Sequence, residues 1–343
     1  MSKTTIAILF GGCSEEHDVS VKSAFEITAA LDPDRYDALW IGITRRGEWR
    51  LCEGPRPDWE SQHGRAAVIS PDRGTRGLLV EDEGTFRRVG VDVVLPVLHG
   101  TGGEDGSIQG LLELSGVPYV GCDIQGSVVC MDKSLAYTVA AQAGMPVPAF
   151  TVVHPGDSVD AASLSFPVFV KPARSGSSFG VTKVESAERL DEAIALARQY
   201  DQKVLIEEQV LGSEVGCAVL GDGDDLVVGE VDQIRLEHGL FRIHQEAEPE
   251  KGSVNSSITV PADLPEAQRA SIQERAKALY RALGCRGLAR VDMFLLEDGR
   301  VVLNEVNTLP GFTSYSRYPR MMAAAGLGVS DLIDRSVQLA MTR

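Results

Sequence analysis

At 343 residues the chain is too long for one ordinary core and predicts two or three domains, at roughly 150 residues each. Its 43% hydrophobic and 24% charged residues describe a soluble globular protein, and no apolar run approaches the ~20 residues of a membrane span. The net charge of −16 opposes binding to nucleic acid or insertion beside anionic lipid, so any phosphate site must be locally basic against the global field.

The opening stretch, MSKTTIAILFGG, has an apolar run too short for the core of a signal peptide. It lacks a cleavage site and ends in a Gly turn, as a first core strand does. A strand is expected at Thr5–Phe10, a turn at Gly11-Gly12, and a helix from Ser20 with Val21, Ala24, Ile27 and Leu31 on one face. Ala38–Ile43 reads as the next strand, 45–90 as a β-rich polar excursion, and Val91–Leu98 as a buried strand of a parallel sheet. His99-Gly100 ends that strand and opens a glycine-rich loop to Asp105, ahead of a helix over Ser107–Leu114. Ligands gather outside the carboxyl ends of strands in open α/β sheets, and the loops 11–18 and 99–106 both lie there. The Gly11-Gly12 turn has no full GxGxxG fingerprint, which argues against a dinucleotide site.

A second unit starts near Cys122, with helices at 123–130 and 133–143, strands at 150–153 and 167–171, and the small-residue loop Ala173–Gly180. A helix over Ala187–Tyr200 and a strand over Val204–Glu208 complete it. The third unit has strands at 214–220 and 226–235, a polar segment at 237–257, and a helix over Glu266–Leu283. It ends with strands Leu288–Leu295 and Arg300–Val306 and a final helix at 330–341. A polar segment of that length inside a compact domain is usually functional or a lid. The cysteines (13, 52, 122, 130, 217, 285) show no CxxC spacing and fit a reduced cytoplasmic protein with buried thiols.

The richest stretch is VLNEVNTLPGFTSYS, residues 302–316. Adjacent strands bring Asp292, Glu305 and Asn307 to one end of a sheet, with Arg290 beside them. Three hard oxygen ligands without His or Cys suit Mg²⁺ at a nucleotide-phosphate site; the plainer alternative is solvated carboxylates at strand ends. Lys171 ends the apolar strand FPVFVK before a Gly/Ser-rich loop whose backbone N–H groups are able to cradle phosphate, although a flexible hairpin has the same composition. Lys133 is either a second phosphate contact or a surface lysine. In IEEQVLGSE the chain leaves a strand, offering backbone groups to an adenine edge and a later acid to a ribose, though exposed acids are common. Glu15-Glu16-His17-Asp18 is either favourable charge at a helix start or an anionic hook for a substrate ammonium. His99 is either structural or part of a site.

Taken in order, GGCSEEHDVS, LHGTGGEDGSIQG, MDKS, VFVKPARSGSSFGV, EEQVLGSE, RVDMF and NEVNTLPGFTSYS, spanning residues 11–316, resemble the D-alanine–D-alanine ligase family of ATP-grasp enzymes. The resemblance implies an α/β, three-domain ATP-grasp architecture. Its parts would be a Rossmann-like βαβ domain over 1–121, a central domain over 122–211 and a C-terminal domain over 212–343, with a lid at about 237–257 and ATP held between the last two domains. It implies that Lys133 and Lys171 hold phosphates, that the backbone near Glu208 and Val210 meets adenine, and that Glu214 holds the ribose. Asp292, Glu305 and Asn307 resemble the ligands of two Mg²⁺ ions, with Mn²⁺ as a substitute. Glu16 and His99 would orient the first D-alanine, and Ser177 would link Glu16 to the lid. Arg290 and the N–H of Gly311 would stabilise an oxyanion; Tyr315, Ser316 and Arg317 lie where the second substrate's carboxylate is bound. A cytoplasmic homodimer serving peptidoglycan synthesis, without a nucleic-acid or membrane-inserted partner, is the family expectation.

One segment departs from the dipeptide-forming pattern. Those ligases carry a Tyr-x-x-Lys-Tyr-like motif in the lid, whereas this chain reads LFRIHQEAEPEK over 240–251, with no tyrosine and His244 in the middle. The surrounding RLEHGLFRIHQEAEPEKGS resembles the D-alanine–D-lactate ligases of the vancomycin-resistance type. A protonated His244 near the second subsite would attract the D-lactate carboxylate and repel the D-alanine ammonium, with Lys251 and Arg242 as possible partners; a solvated lid residue is the alternative. The activity implied is ATP-dependent joining of D-alanine to D-lactate through D-alanyl phosphate, with D-alanine–D-alanine ligation as the runner-up.

Overall fold

A computed structural model describes residues 3–62, 64–236 and 255–342. Arg242, His244, Lys251 and nearly all of the expected lid lie outside the described residues. Three sheets form one after another along the chain.

The first is built from β1 (Thr4–Gly11), α1 (His17–Ala30), β2 (Tyr36–Ile43), β3 (Trp49–Cys52), β4 (Arg65–Ile69), β5 (Gly77–Asp82), β6 (Thr85–Gly90), β7 (Val93–Val97) and α2 (Ser107–Ser115). Its strand order is β6-β5-β4-β3-β2-β1-β7, with β1 parallel to both neighbours and the 45–90 excursion forming an antiparallel meander. The run of apolar residues in β1 reflects cover on both faces. Ile6, Ile8 and Phe10 pack into one core with Val21, Ala24 and Ile27 of α1, while Ala7 and Leu9 pack on the other face with Ile108 and Leu112 of α2. Helix α1 starts at His17, ahead of the expected Ser20. Ser20 is instead a sideways tie: its hydroxyl accepts from the Gly11 N–H at 2.7 Å and donates to the Val97 carbonyl.

The second sheet comes from α3 (Ile124–Met131), α4 (Lys133–Gln142), β8 (Phe150–Val153), β9 (Val168–Pro172), β10 (Thr182–Val184), α5 (Leu190–Ala197) and β11 (Val204–Glu208), ordered β10-β9-β11-β8 and antiparallel throughout. Asp123 caps α3 by accepting from the Gly126 N–H at 2.9 Å, and Asp132 caps α4 at the N–H groups of Ser134 and Leu135. Helix α5 is shorter than expected, because Ala187–Arg189 form a 3₁₀ turn before it and it ends at Ala197.

The third sheet comes from β12 (Ser213–Asp222), β13 (Asp225–Val228), β14 (Asp232–Leu236), β15 (Ser256–Thr259), α6 (Glu266–Ala282), β16 (Gly287–Leu295), β17 (Val301–Asn307), α7 (Arg317–Ala324) and α8 (Val329–Met341). Its order is β15-β14-β12-β16-β17, with β13 also on β12. The strand expected at 226–235 is broken into β13 and β14 where Gly229 meets α7; a Cβ on Gly229 would lie 2.9 Å from Met321. Leu332, Ile333 and Val337 of α8 share a core with Ile6, Ile8 and Phe10, so the C-terminal helix braces the first sheet. Among the described residues no helix is long and apolar enough to cross a membrane.

Candidate active site

The β16–β17 register puts Asp292 opposite Glu305 and Arg290 opposite Asn307, with a bulge between Asp292 and Met293. Asp292 is 1% exposed and receives the Arg290 fork, with Nε at 2.9 Å and NH2 at 2.8 Å from Oδ2. The Asn307 amide donates to the same oxygen at 3.1 Å, which turns its own carbonyl oxygen away from Asp292. Glu305 pairs with Lys133 at 3.2 Å. Burial alone would push the Glu305 carboxyl up, but Lys133, Arg290 and Lys171 hold it down at about 2. It is therefore an anion throughout the neutral range. Among the described residues no three of His, Cys, Asp and Glu form a cage for an ion. Two carboxylates and an amide oxygen fit Mg²⁺, which keeps waters and takes phosphate oxygens to complete its shell.

Two lysines face this cluster from the second sheet and its helices. Lys133 opens α4, and its Nζ also donates to the Ser175 carbonyl at 2.9 Å, in the loop after β9. Lys171 is buried on β9 and pairs with Glu207 at 2.8 Å. Ser177 and Ser178 in that loop hold φ of +48° and +60°, a left-handed stretch that costs energy for any residue but glycine and is found where a backbone is shaped for function.

At the other end Glu16 accepts from the Ser177 hydroxyl at 2.7 Å, across 161 residues of sequence. Gly100 and Gly176 leave it room, since a Cβ on either would lie 2.8 or 2.9 Å from its Oε2. His99 is buried, its Nδ1 2.8 Å from the Leu309 carbonyl. A carbonyl only accepts, so Nδ1 carries the proton. Burial also pushes the imidazole pKa down, against Glu16. His99 is thus neutral with an accepting Nε2, which lies 3.4 Å from the Ser23 hydroxyl. Gly311 packs so closely on Ser316 that a Cβ would lie 2.7 Å from its Oγ. Tyr315 and Ser316 are half-buried beside it, and Ser316 Oγ is 2.5 Å from Thr313 Oγ1. Glu208 is exposed and Val210 half-buried at the end of β11, and Glu214 is half-buried on β12. Arg317 faces Glu214, Asp232 and Asp292.

Four residues beside the site escaped the sequence reading. Glu207 is 3% exposed, and the Tyr137 hydroxyl donates to it at 2.8 Å, bracing the partner of Lys171. Asp232 is fully buried under Arg317. Glu104 accepts from the Gly100 N–H at 3.0 Å and the Leu309 N–H at 2.8 Å, so it joins the loop after β7 to the loop after β17. Only the first acid of Ile206-Glu207-Glu208 gave a signal, being the in-facing position of a strand end.

Burial, then Glu16, push the Glu104 carboxyl up to about 7, against the two N–H bonds and Arg290. Its folded value lies above the ordinary 4.5, so its contribution to stability is full below about pH 4.5 and is lost as pH rises through about 7. Glu104→Gln cannot ionise. Melting temperatures of the two proteins between those limits should diverge, with the variant gaining on the parent as pH rises; parallel curves would contradict this.

Comparison with known proteins bears on the whole chain. The model of the D-ala D-ala ligase N-terminus matches residues 5–122 and that of the D-ala D-ala ligase C-terminus matches residues 139–338. The chain belongs to the D-alanine–D-alanine ligase family. The ligase is 64% identical over 341 residues to the vancomycin/teicoplanin A-type resistance protein VanA of Enterococcus faecium, with 99% of each chain covered. It is 63% identical over 342 residues to a putative D-alanine–D-lactate ligase of Streptomyces coelicolor, covering 100% of this chain and 99% of that one. The crystal structure of the VanG D-Ala:D-Ser ligase from Enterococcus faecalis matches the ligase with a TM-score of 0.90 at 42% identity, covering 99% of this chain and 100% of that one. The fold is the α/β ATP-grasp fold of these ligases, and the family's chemistry uses ATP and Mg²⁺.

Proposed function

We propose that the ligase joins D-alanine to D-lactate through D-alanyl phosphate, giving a depsipeptide for peptidoglycan precursors that replaces the amide recognised by glycopeptide antibiotics. The observation that carries the chemistry is the meeting of Glu305, Asp292, Lys133 and Arg290 at one end of the β16–β17 pair, with Glu16, Ser177 and His99 alongside. The choice of acceptor rests on the likeness to the resistance protein and the putative D-alanine–D-lactate ligase, and on the tyrosine-free sequence 240–251.

In this reading the three sheets support domains at 1–121, 122–211 and 212–343, with ATP between the last two. Lys171 on one side and Asp292 and Glu305 on the other would grip it. The backbone near Glu208 and Val210 meets adenine and Glu214 holds the ribose. Mg²⁺, as two ions that Mn²⁺ is able to replace, would be held by Asp292, Glu305 and Asn307 and would neutralise the phosphates. Lys133 and Lys171 add charge to the transferring group. Glu16 pairs with the D-alanine ammonium, and neutral His99 accepts from it at Nε2.

The D-alanine carboxylate attacks the γ-phosphorus and ADP leaves. The D-lactate hydroxyl then attacks the acyl carbon, its proton passes to a phosphate oxygen, and inorganic phosphate leaves carrying it. Arg290 and the Gly311 N–H face the oxyanion that forms between those two events. Ser316, Tyr315 and the main-chain N–H groups at the start of α7 receive the acceptor carboxylate. His244, with Lys251, excludes the D-alanine ammonium from that place. On family grounds the enzyme acts as a cytoplasmic homodimer. The test is the product formed when both acceptors are present with ATP and Mg²⁺: ester supports this reading, and dipeptide returns the enzyme to the ordinary activity of the family.

A further inference from the structure

Arg317 opens α7, at the place where the family resemblance puts the acceptor carboxylate. The guanidinium has other partners. It is 4% exposed. Its Nε and NH2 donate to the two oxygens of Asp232 at 2.6 and 2.8 Å, a bidentate fork. Its NH1 lies 2.8 Å from Glu214 Oε1 and 3.1 Å from Asp292 Oδ1. Fully buried Asp232 balances the Arg317 charge, so NH1 gives the other two carboxylates direction more than net charge.

The seat for this side chain is built into the sheet. Gly216 on β12 stands in register between Asp232 on β14 and Asp292 on β16. A Cβ there would lie 2.4 Å from Arg317 NH2, 2.7 Å from Asp232 and 2.9 Å from Asp292. The missing side chain lets the guanidinium lie flat across three strands. To reach an acceptor, Arg317 would have to leave Asp232 buried and uncompensated, which is strongly destabilising.

We propose that Arg317 is a positioning residue of the nucleotide and metal side, tying the ribose acid Glu214 to the Mg²⁺ ligand Asp292, and that its side chain does not bind the acceptor. This rests on the ribose and metal assignments proposed above. The acceptor carboxylate is then left to Ser316 and the main chain at the start of α7.

The experiment is calorimetric titration of MgADP into the parent and Arg317→Met without D-alanine or acceptor, together with the KM for D-lactate in turnover. MgADP binding should weaken roughly 10–100-fold, as when the outer partner of a metal ligand is lost, while the KM for D-lactate stays at the parental value. Unchanged MgADP affinity, or a raised KM for D-lactate, would overturn the assignment. A parent that does not bind MgADP would instead bring down the nucleotide site itself. If Arg317→Met does not fold, Arg317→Lys keeps the charge without the fork and should show the same split. Gly216→Ala should reproduce it with no change of charge.

Discussion

Glu305→Ala should abolish phosphate-releasing turnover, with a loss well beyond the roughly 10–100-fold typical of an outer partner of a metal ligand. Glu305 is held ionised at about 2 by Lys133, Arg290 and Lys171, so the variant removes a full negative charge from among three cations. Two consequences follow in the same place. The proposed metal site loses an acidic ligand beside the transferring phosphoryl group, and Lys133 loses the carboxylate that holds it at 3.2 Å. Glu305→Gln keeps the shape and one oxygen but not the charge, and should be nearly as inactive. ADP release should require ATP, Mg²⁺ and D-alanine together in the parent and be absent in both variants, with circular dichroism showing them folded. Turnover near the parental rate in either would remove Glu305 from the metal site.

Arg290→Ala should lower kcat by roughly 10²–10³-fold, the usual cost of a lost oxyanion donor. Ground-state nucleotide binding should change far less, because the interaction that matters forms only as the tetrahedral oxyanion develops. Arg290 also braces Asp292 through its fork. Arg317 at 3.1 Å and Asn307 at 3.1 Å remain on that carboxylate in the variant, so Asp292 is not left unpaired. Steady-state kinetics with ATP as the varied substrate separate the two roles. A large rise in the KM for ATP with unchanged kcat would make Arg290 a nucleotide residue.

Much of the molecule was legible because its signals are local. The apolar run Thr5–Phe10 acts within one strand, and the placing of Arg290 and Asp292 opposite Asn307 and Glu305 acts within one pair of successive strands. What escaped depends on partners far along the chain. Asp232 is tolerable in the core because Arg317 arrives 85 residues later, and Glu104 takes one of its two N–H bonds from Leu309, 205 residues later. Helix α7 carries Pro319 in its first turn, where the missing N–H costs no intrahelical bond, and no helix was expected there. The family resemblance puts Arg317 at the acceptor, and the sequence carries no sign of the three acids around its side chain.

A competition between equal D-alanine and D-lactate, resolved by mass spectrometry across pH, decides which acceptor the ligase uses. At acid to neutral pH the ester should dominate if, as proposed, a protonated His244 repels the D-alanine ammonium. The dipeptide share should then rise as pH passes the ordinary imidazole range, within one or two units of roughly pH 6.5. The D-alanine amine also begins to deprotonate there and becomes the better nucleophile. His244→Ala should lose ester formation preferentially and flatten the curve. Dipeptide as the main product of the parent at every pH would contradict the account.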